Sequence, residues 1–182
     1  VGLGSIGTAI TKRLAGFEVE TIGVRYTPAK GGPTDEVIGF SEGDFHEALS
    51  RTEYVILACP LTEETRELID EEALLTLPPQ AVVTNVARGE VIDTDALVTA
   101  LRRGRIRGAA LDVTSPEPLP QNHPLWGLEN CLITPHVGGH NPSHWSRFAS
   151  LLEHNVRTYE NGNLDDLDNV VVAPRSEHEP RE

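Results

Sequence analysis

Methionine is absent from this chain, cysteine occurs only at positions 59 and 131, and lysine only at 12 and 30. Both cysteines sit among apolar neighbours (Ile56-Leu57-Ala58-Cys59 and Cys131-Leu132-Ile133). Two buried thiols in a reducing compartment, the cytoplasm, are therefore expected rather than a disulfide scaffold. No apolar run approaches the about 18 residues that a spanning helix needs, so no membrane helix is expected. Positive charge is scarce: 15 basic against 28 acidic residues leave a formal net charge of -13. Such a surface repels phosphate backbones and argues against a nucleic-acid partner. It also suits a halophilic protein kept hydrated and screened in concentrated salt, an ordinary acidic cytosolic protein being the alternative.

What is present is an alternation of helix and strand patterns. Ile6 to Leu14 reads as a helix ending near Gly16, with Ile6, Ile10 and Leu14 on one face. Glu18 to Val24 reads as a strand, Tyr26 to Asp35 as a loop punctuated by Pro28, Gly31, Gly32 and Pro33, and Val37 to Phe40 as a short strand. Asp44 is expected to cap a helix to Ser50. Tyr54 to Ala58 reads as a buried strand stopped by Pro60, Glu71 to Leu77 as a helix stopped by Pro78-Pro79, and Ala81 to Asn85 as a strand. Asp93 caps a helix to Arg103 with Gly104 behind it. Ile106 to Val113 and Cys131 to Thr134 are two more strands, and Ser143 to Tyr159 a last helix. Strands joined by helices predict an α/β fold, a doubly wound parallel sheet of the Rossmann type. Residues 1–140 are expected to form the dinucleotide-binding domain, 141–162 a helix that packs elsewhere, and 163–182 a tail, disordered from Ser176.

The chain opens Val1-Gly2-Leu3-Gly4-Ser5-Ile6-Gly7, a glycine loop of the kind that joins a strand to a helix under a pyrophosphate. Gly2, Gly4 and Gly7 allow close approach, and the N–H groups of Ser5 and Ile6 meet the anion at the helix start. Val1 to Leu3 reads as the last step of a first strand that is mostly missing. A chain opening inside a motif without methionine is expected to belong to a longer protein. The second strand ends Gly23-Val24-Arg25. No acidic residue stands there to bond the ribose hydroxyls of NAD. Arg25 instead offers a forked donor to a 2′-phosphate, which favours NADP(H) over NAD(H).

Three polar stretches lie just past the ends of successive strands: Asn85 to Glu90, Asp112 to Pro118 and Thr134 to Gly139. Ligands of open parallel sheets bind at those carboxyl ends. Reduction of a carbonyl leaves negative charge on oxygen, which has to be stabilised and protonated. His136 is placed to supply the proton, with Glu117 orienting the ring and favouring its charged form. Arg88 is placed to clamp a substrate carboxylate and polarise the adjacent carbonyl.

In these residues the chain resembles the D-isomer-specific 2-hydroxyacid dehydrogenases. The likeness runs from Val1 to about Gly162 through Gly2 to Gly7, Cys59-Pro-Leu-Thr-Glu-Glu-Thr65, Asn85-Val-Ala-Arg-Gly-Glu-Val-Ile-Asp93, Ala110 to Pro118 and Thr134-Pro-His136. The resemblance implies that Arg88, Glu117 and His136 are the catalytic set. It also implies that Asp112 contacts the nicotinamide carboxamide and that Pro60 and Thr65 border the cofactor; Val86 and Gly138 complete the expected cofactor set. The implied reaction is reduction of a 2-oxoacid, of the glyoxylate or hydroxypyruvate type, by NAD(P)H to a D-2-hydroxyacid. A substrate domain built largely from a preceding segment and a homodimeric assembly are further implications, and without that segment little turnover is expected. Arg25 departs from the family's usual acidic residue, as in members that use NADP. A non-catalytic NAD(P)-sensing module is the rival reading, but a sensor needs only the glycine loop. A formate dehydrogenase-like variant is disfavoured because Glu117 stands where those enzymes place an amide.

His136, His140 and His144 are spaced by four, yet Gly138-Gly139 and Pro142 oppose a continuous helix, so no metal site is expected. His46, His123, His154 and His178 read as surface residues. Glu63, Glu64, Glu67, Asp70, Glu71 and Glu72 read as the solvated face of a helical run. Trp145 and Phe148 are expected to pack against another domain.

Overall fold

The structure is a computed structural model and describes residues 1–170. The tail expected to be disordered from Ser176, with His178, lies outside the described residues. Val1–Gly138 forms one compact unit and a second begins at Gly139.

In the first unit six strands run parallel. β1 (Ile22–Val24) pairs with β2 (Glu36–Ile38), while β3 (Tyr54–Leu57), β4 (Val82–Asn85), β5 (Gly108–Leu111) and β6 (Cys131–Ile133) pair in that order. The opening residues join the two sheets. Gly2 N–H donates to the Val24 carbonyl at 2.8 Å, the Val1 nitrogen to the Ile56 carbonyl at 2.7 Å, and Ala58 N–H to the Val1 carbonyl at 2.9 Å. The spatial order is therefore β2, β1, the Val1 to Leu3 stub, β3, β4, β5, β6. This is the doubly wound Rossmann arrangement, with the stub in the central position.

Helices α1 (Ser5–Leu14), α2 (Glu42–Ser50), α3 (Glu71–Thr76) and α4 (Thr94–Arg102) connect the strands. Asp70 caps α3 by accepting from Ala73 N–H at 2.8 Å, and Asp93 caps α4 by accepting from Asp95 and Ala96 N–H. A 3-10 turn at Pro124–Gly127 stands between β5 and β6. Leu57, Val83, Ile69, Leu74, Leu77, Val91, Leu97, Ile106 and Leu125 are fully buried in one core. Burying each such side chain stabilises the fold by about 1.5–3 kcal/mol.

Several expectations need correction. β1 begins only at Ile22, because Glu18 sits in the left-handed region at φ 55° and closes a 3-10 turn over Ala15–Phe17. β5 is likewise shorter than Ile106 to Val113. Ser41, not Asp44, occupies the α2 N-cap; its hydroxyl donates to the Asp44 carboxylate at 2.6 Å. Of the apolar face expected on α1, Ile10 and Leu14 are half-buried, while Ile6 is 56% exposed. Of the acidic run only Glu71 and Glu72 are helical. The buried Thr65 explains this, since its hydroxyl donates to the Pro60 carbonyl and accepts from Thr62 N–H, local bonds that compete with a helix. His46 and His123 are half-buried rather than free on the surface. His46 Nδ1 lies 3.2 Å from the Thr76 hydroxyl, and His123 Nδ1 accepts from Leu125 N–H.

The second unit is led by α5 (His144–Glu160), with Ser143 at its N-terminal border and no side-chain cap. Trp145, Phe148, Leu152, Val156 and Tyr159 are exposed along it, with the Trp145 and Phe148 rings edge to face at 6.4 Å. His136 and His140 precede α5, so the three evenly spaced histidines share no helix. Among the described residues no helix is long and apolar enough to cross a membrane.

Candidate functional site

Backbone geometry shapes the glycine loop. Gly2 has φ 89°, and a Cβ there would come within 2.6 Å of Cys59 N; a Cβ on Gly7 would lie 2.0 Å from the Gly2 carbonyl oxygen. Both positions are closed to any other residue. A Cβ on Gly4, by contrast, would meet nothing within 4 Å, so this glycine borders open space at the start of α1. That ten-residue helix has no side-chain cap and no acidic residue in its first turn. The N–H groups of Ser5 and Ile6 thus face outward at the positive end of the helix dipole, an arrangement that fits a pyrophosphate.

Arg25 follows β1, its N–H donating to the Ile38 carbonyl at 3.1 Å. Its guanidinium folds over the loop after β1 and donates from Nη1 to the Gly31 carbonyl at 2.5 Å. The contact leaves other donors of the fork available on the same rim as the glycine loop. At the end of β3, Pro60 is exposed while Thr65 is buried. The Thr65 hydroxyl is spent inside the turn, where it fixes the shape of the loop. Cys59, beside them, is buried, and burial pushes its thiol up; Cys131 is pushed up to about 11 by the same cause. Neither thiol is poised as a nucleophile.

The ends of β4, β5 and β6 carry the remaining groups. Val86 N–H donates to the Leu57 carbonyl, Asp112 N–H to that of Asn85, and Thr134 N–H to that of Leu111, so the three strand ends stay in register. Arg88 lies in extended backbone two residues beyond Val86, exposed, with its guanidinium donating to the Ala87 carbonyl at 2.6 Å. Gly89 packs directly against the next loop, where a Cβ would fall 2.0 Å from the Thr114 carbonyl oxygen. The Thr94 hydroxyl adds a bond to the Ser115 carbonyl at 3.0 Å. The Arg88 turn and the Glu117 loop are thereby held together.

Glu117 Oε1 lies 2.8 Å from His136 Nδ1. A carboxylate partner makes Nδ1 the donor nitrogen, which leaves Nε2 outward and free for proton transfer. His136 itself has φ 55°, an uncommon conformation for a residue with a side chain. Asp112 sustains it: Oδ1 accepts from the Thr134 hydroxyl at 2.5 Å and from Val137 N–H at 3.0 Å, and Oδ2 from Gly138 N–H at 2.8 Å. Asp112 thus has a second role beside the one expected of it, since three of its acceptor positions clamp the histidine loop. The sequence offered no sign of this clamp, nor of Thr134 as part of it.

These bonds hold the Asp112 carboxyl below the usual carboxylate range, the Thr134 hydroxyl contributing most, with Gly138 N–H, Val137 N–H and nearby His136 adding to it. A carboxyl lowered in the folded state contributes stability that is complete above its unfolded value of about 3.9 and is lost as pH falls through the lowered value. Amide exchange at Val137 and Gly138, corrected for intrinsic rates, is expected to stay slow down to about pH 4 and to accelerate below it. Asp112→Asn replaces one accepting oxygen with an NH2 group and should make one of the two amides fast at neutral pH. Protection unchanged in that variant would overturn the clamp.

Residues 1–138 match the family model described as "D-isomer specific 2-hydroxyacid dehydrogenase, NAD binding domain". The chain is 37% identical over 164 residues to a glyoxylate reductase of Pyrococcus furiosus, covering 90% of this chain and 48% of that protein. Among solved structures it is similar to a D-isomer specific 2-hydroxyacid dehydrogenase from Xanthobacter autotrophicus in complex with NADPH and MES. There the TM-score is 0.77 at 37% identity, over 88% of this chain and 65% of that one. It is also similar to an NADPH-dependent glyoxylate/hydroxypyruvate reductase from Sinorhizobium meliloti in complex with NADP and malonate. That match has a TM-score of 0.75 at 31% identity, over 87% of this chain and 48% of that one. The chain spans about half the length of the curated relatives it matches.

Proposed function

Because the chain belongs to the D-isomer specific 2-hydroxyacid dehydrogenase family, as its NAD binding domain, we propose that it is the cofactor-holding part of an NADP(H)-dependent reductase. Its substrate is a small 2-oxoacid of the glyoxylate or hydroxypyruvate class, converted reversibly to the D-2-hydroxyacid. The observation that carries this reading is the 2.8 Å contact of Glu117 with His136 at the carboxyl ends of the sheet, on a loop joined to that of Arg88. A nucleotide sensor has no use for such a pair.

The reduced nicotinamide, when bound, supplies the hydride that this chain cannot. Gly2, Gly4 and Gly7, with Ser5 and Ile6 N–H, hold the pyrophosphate, and Pro60, Thr65, Val86 and Gly138 shape the cleft around the cofactor. Arg88 holds the substrate carboxylate with two parallel donors and draws electron density toward the carbonyl oxygen. His136 transfers the proton from Nε2 to that oxygen as the C–H bond forms, while Glu117 keeps the ring from turning. Exclusion of water from this exposed site, and the choice among 2-oxoacids, fall to surfaces that face the sheet from outside Val1–Gly138.

Support for NADP(H) comes from Arg25 at the end of β1, together with the NADPH and NADP in the two similar structures. In the full-length protein, oxidation of NADPH on addition of glyoxylate or hydroxypyruvate is expected, with kcat/KM higher than for NADH. Arg25→Ala should cut kcat/KM for NADPH about tenfold or more, the value of a charged hydrogen bond, and leave NADH nearly unchanged. Equal losses with both cofactors would remove Arg25 from the 2′-phosphate; absence of 2-oxoacid reduction would reject the activity.

A further inference from the structure

Asn85 is the last residue of β4 and is completely inaccessible to solvent. It continues the buried face that Val83 begins, where an aliphatic side chain would bring no polar group of its own. A primary amide buried there costs stability unless both its ends are bonded. Both are. Oδ1 accepts from Ala87 N–H at 2.9 Å and Nδ2 donates to the Arg88 carbonyl at 2.8 Å. The side chain therefore bridges the backbone on either side of the Ala87–Arg88 peptide and fixes where Arg88 leaves the sheet.

We propose that Asn85 is the positioning residue of Arg88, setting the direction of the guanidinium from beneath; this rests on the reading of Arg88 as the substrate carboxylate clamp. Only an amide of this length meets the requirement. Aspartate would present an oxygen to the Arg88 carbonyl, leucine would leave Ala87 N–H and that carbonyl unpaired, and glutamine adds a methylene to a closed core. The base of the turn is held from the other side by the Gly89 contact with Thr114, so loss of the amide grip frees the Arg88 side of the turn. A bidentate clamp is sensitive to such freedom, because a misplacement of about 1 Å can cost 100-fold in rate.

The test is a double-mutant cycle in the full-length protein, with Asn85→Asp and Arg88→Ala separately and combined. Kinetics with glyoxylate and NADPH, NADPH affinity by fluorescence and thermal midpoints are measured for each. Asn85→Asp is expected to lower kcat/KM for the 2-oxoacid by about 10- to 100-fold with NADPH affinity within twofold, and to cost less than twofold in the Arg88→Ala background. Asn85→Ser, which keeps an acceptor for Ala87 N–H and frees the Arg88 carbonyl, takes its place should the aspartate not fold. The same factor in both backgrounds would mean a general structural role and overturn the assignment. If Arg88→Ala alone leaves kcat/KM unchanged, the clamp reading falls and this inference falls with it, a result distinct from additivity.

Discussion

Replacement of His136 by alanine in the full-length protein is expected to lower kcat for 2-oxoacid reduction by about 1,000-fold, within the range that a positioned general acid contributes. NADPH affinity should change by less than twofold. The two readouts separate because the groups assigned to them lie at the ends of different strands. The glycine loop precedes α1 and is bonded to β1 and β3, whereas the histidine follows β6 and is held by Asp112 and Glu117. Alanine keeps the Cβ, so the strain of φ 55° is not relieved, but the His136 side chain is exposed and no core contact is lost, so the fold should tolerate the change. An unchanged kcat would remove His136 from proton transfer. A loss confined to KM would make it a binding group instead.

Gly7→Ala is expected to weaken NADPH binding by about 100-fold, although position 7 is helical and alanine is the better helix former. The new methyl would lie 2.0 Å from the Gly2 oxygen, with nothing flexible to move aside. Relief requires the turn to open, and overpacking of this kind costs about 1–3 kcal/mol, which at its upper end is a 100-fold loss. Gly4→Ala is the matched comparison: its methyl meets no protein atom, so any loss there reports ligand contact rather than loop distortion. Titration of NADPH by fluorescence measures both variants. Normal affinity in Gly7→Ala would mean that the loop does not hold the pyrophosphate in this form.

Much of the parallel sheet was legible in the sequence, because buried strands such as Val55 to Leu57 and Val83 to Asn85 stand between unmistakable caps and stops. Asp70, Asp93, Pro78 and Gly104 mark those borders. Borders set by backbone conformation or by one side chain's local bonds were not legible. Glu18 looks like strand and is a left-handed turn; Glu63 to Asp70 looks like an amphipathic helix, and Thr65 ties it into turns. In the candidate site, the position of each polar stretch after a strand was readable, and with it the candidacy of Arg88, Glu117 and His136. The contacts between stretches were not. Glu117 and His136 are 19 residues apart, Asp112 and Gly138 26, and only folding brings them into bonding distance. Asn85 escaped notice for a different reason: a polar residue at a strand end reads as solvent-facing, and nothing in its neighbours betrays complete burial.

The missing Cβ at Gly89 has a mechanical consequence. With the Arg88 turn seated on Thr114 and Ser115, the cationic and anionic arms of the site behave as one plate and cannot be tilted independently. A longer or bulkier substrate cannot be met by opening a gap between them. On the proposed reading, adaptation to different 2-oxoacids comes from the surfaces opposite the plate, and the reacting geometry stays constant while they change.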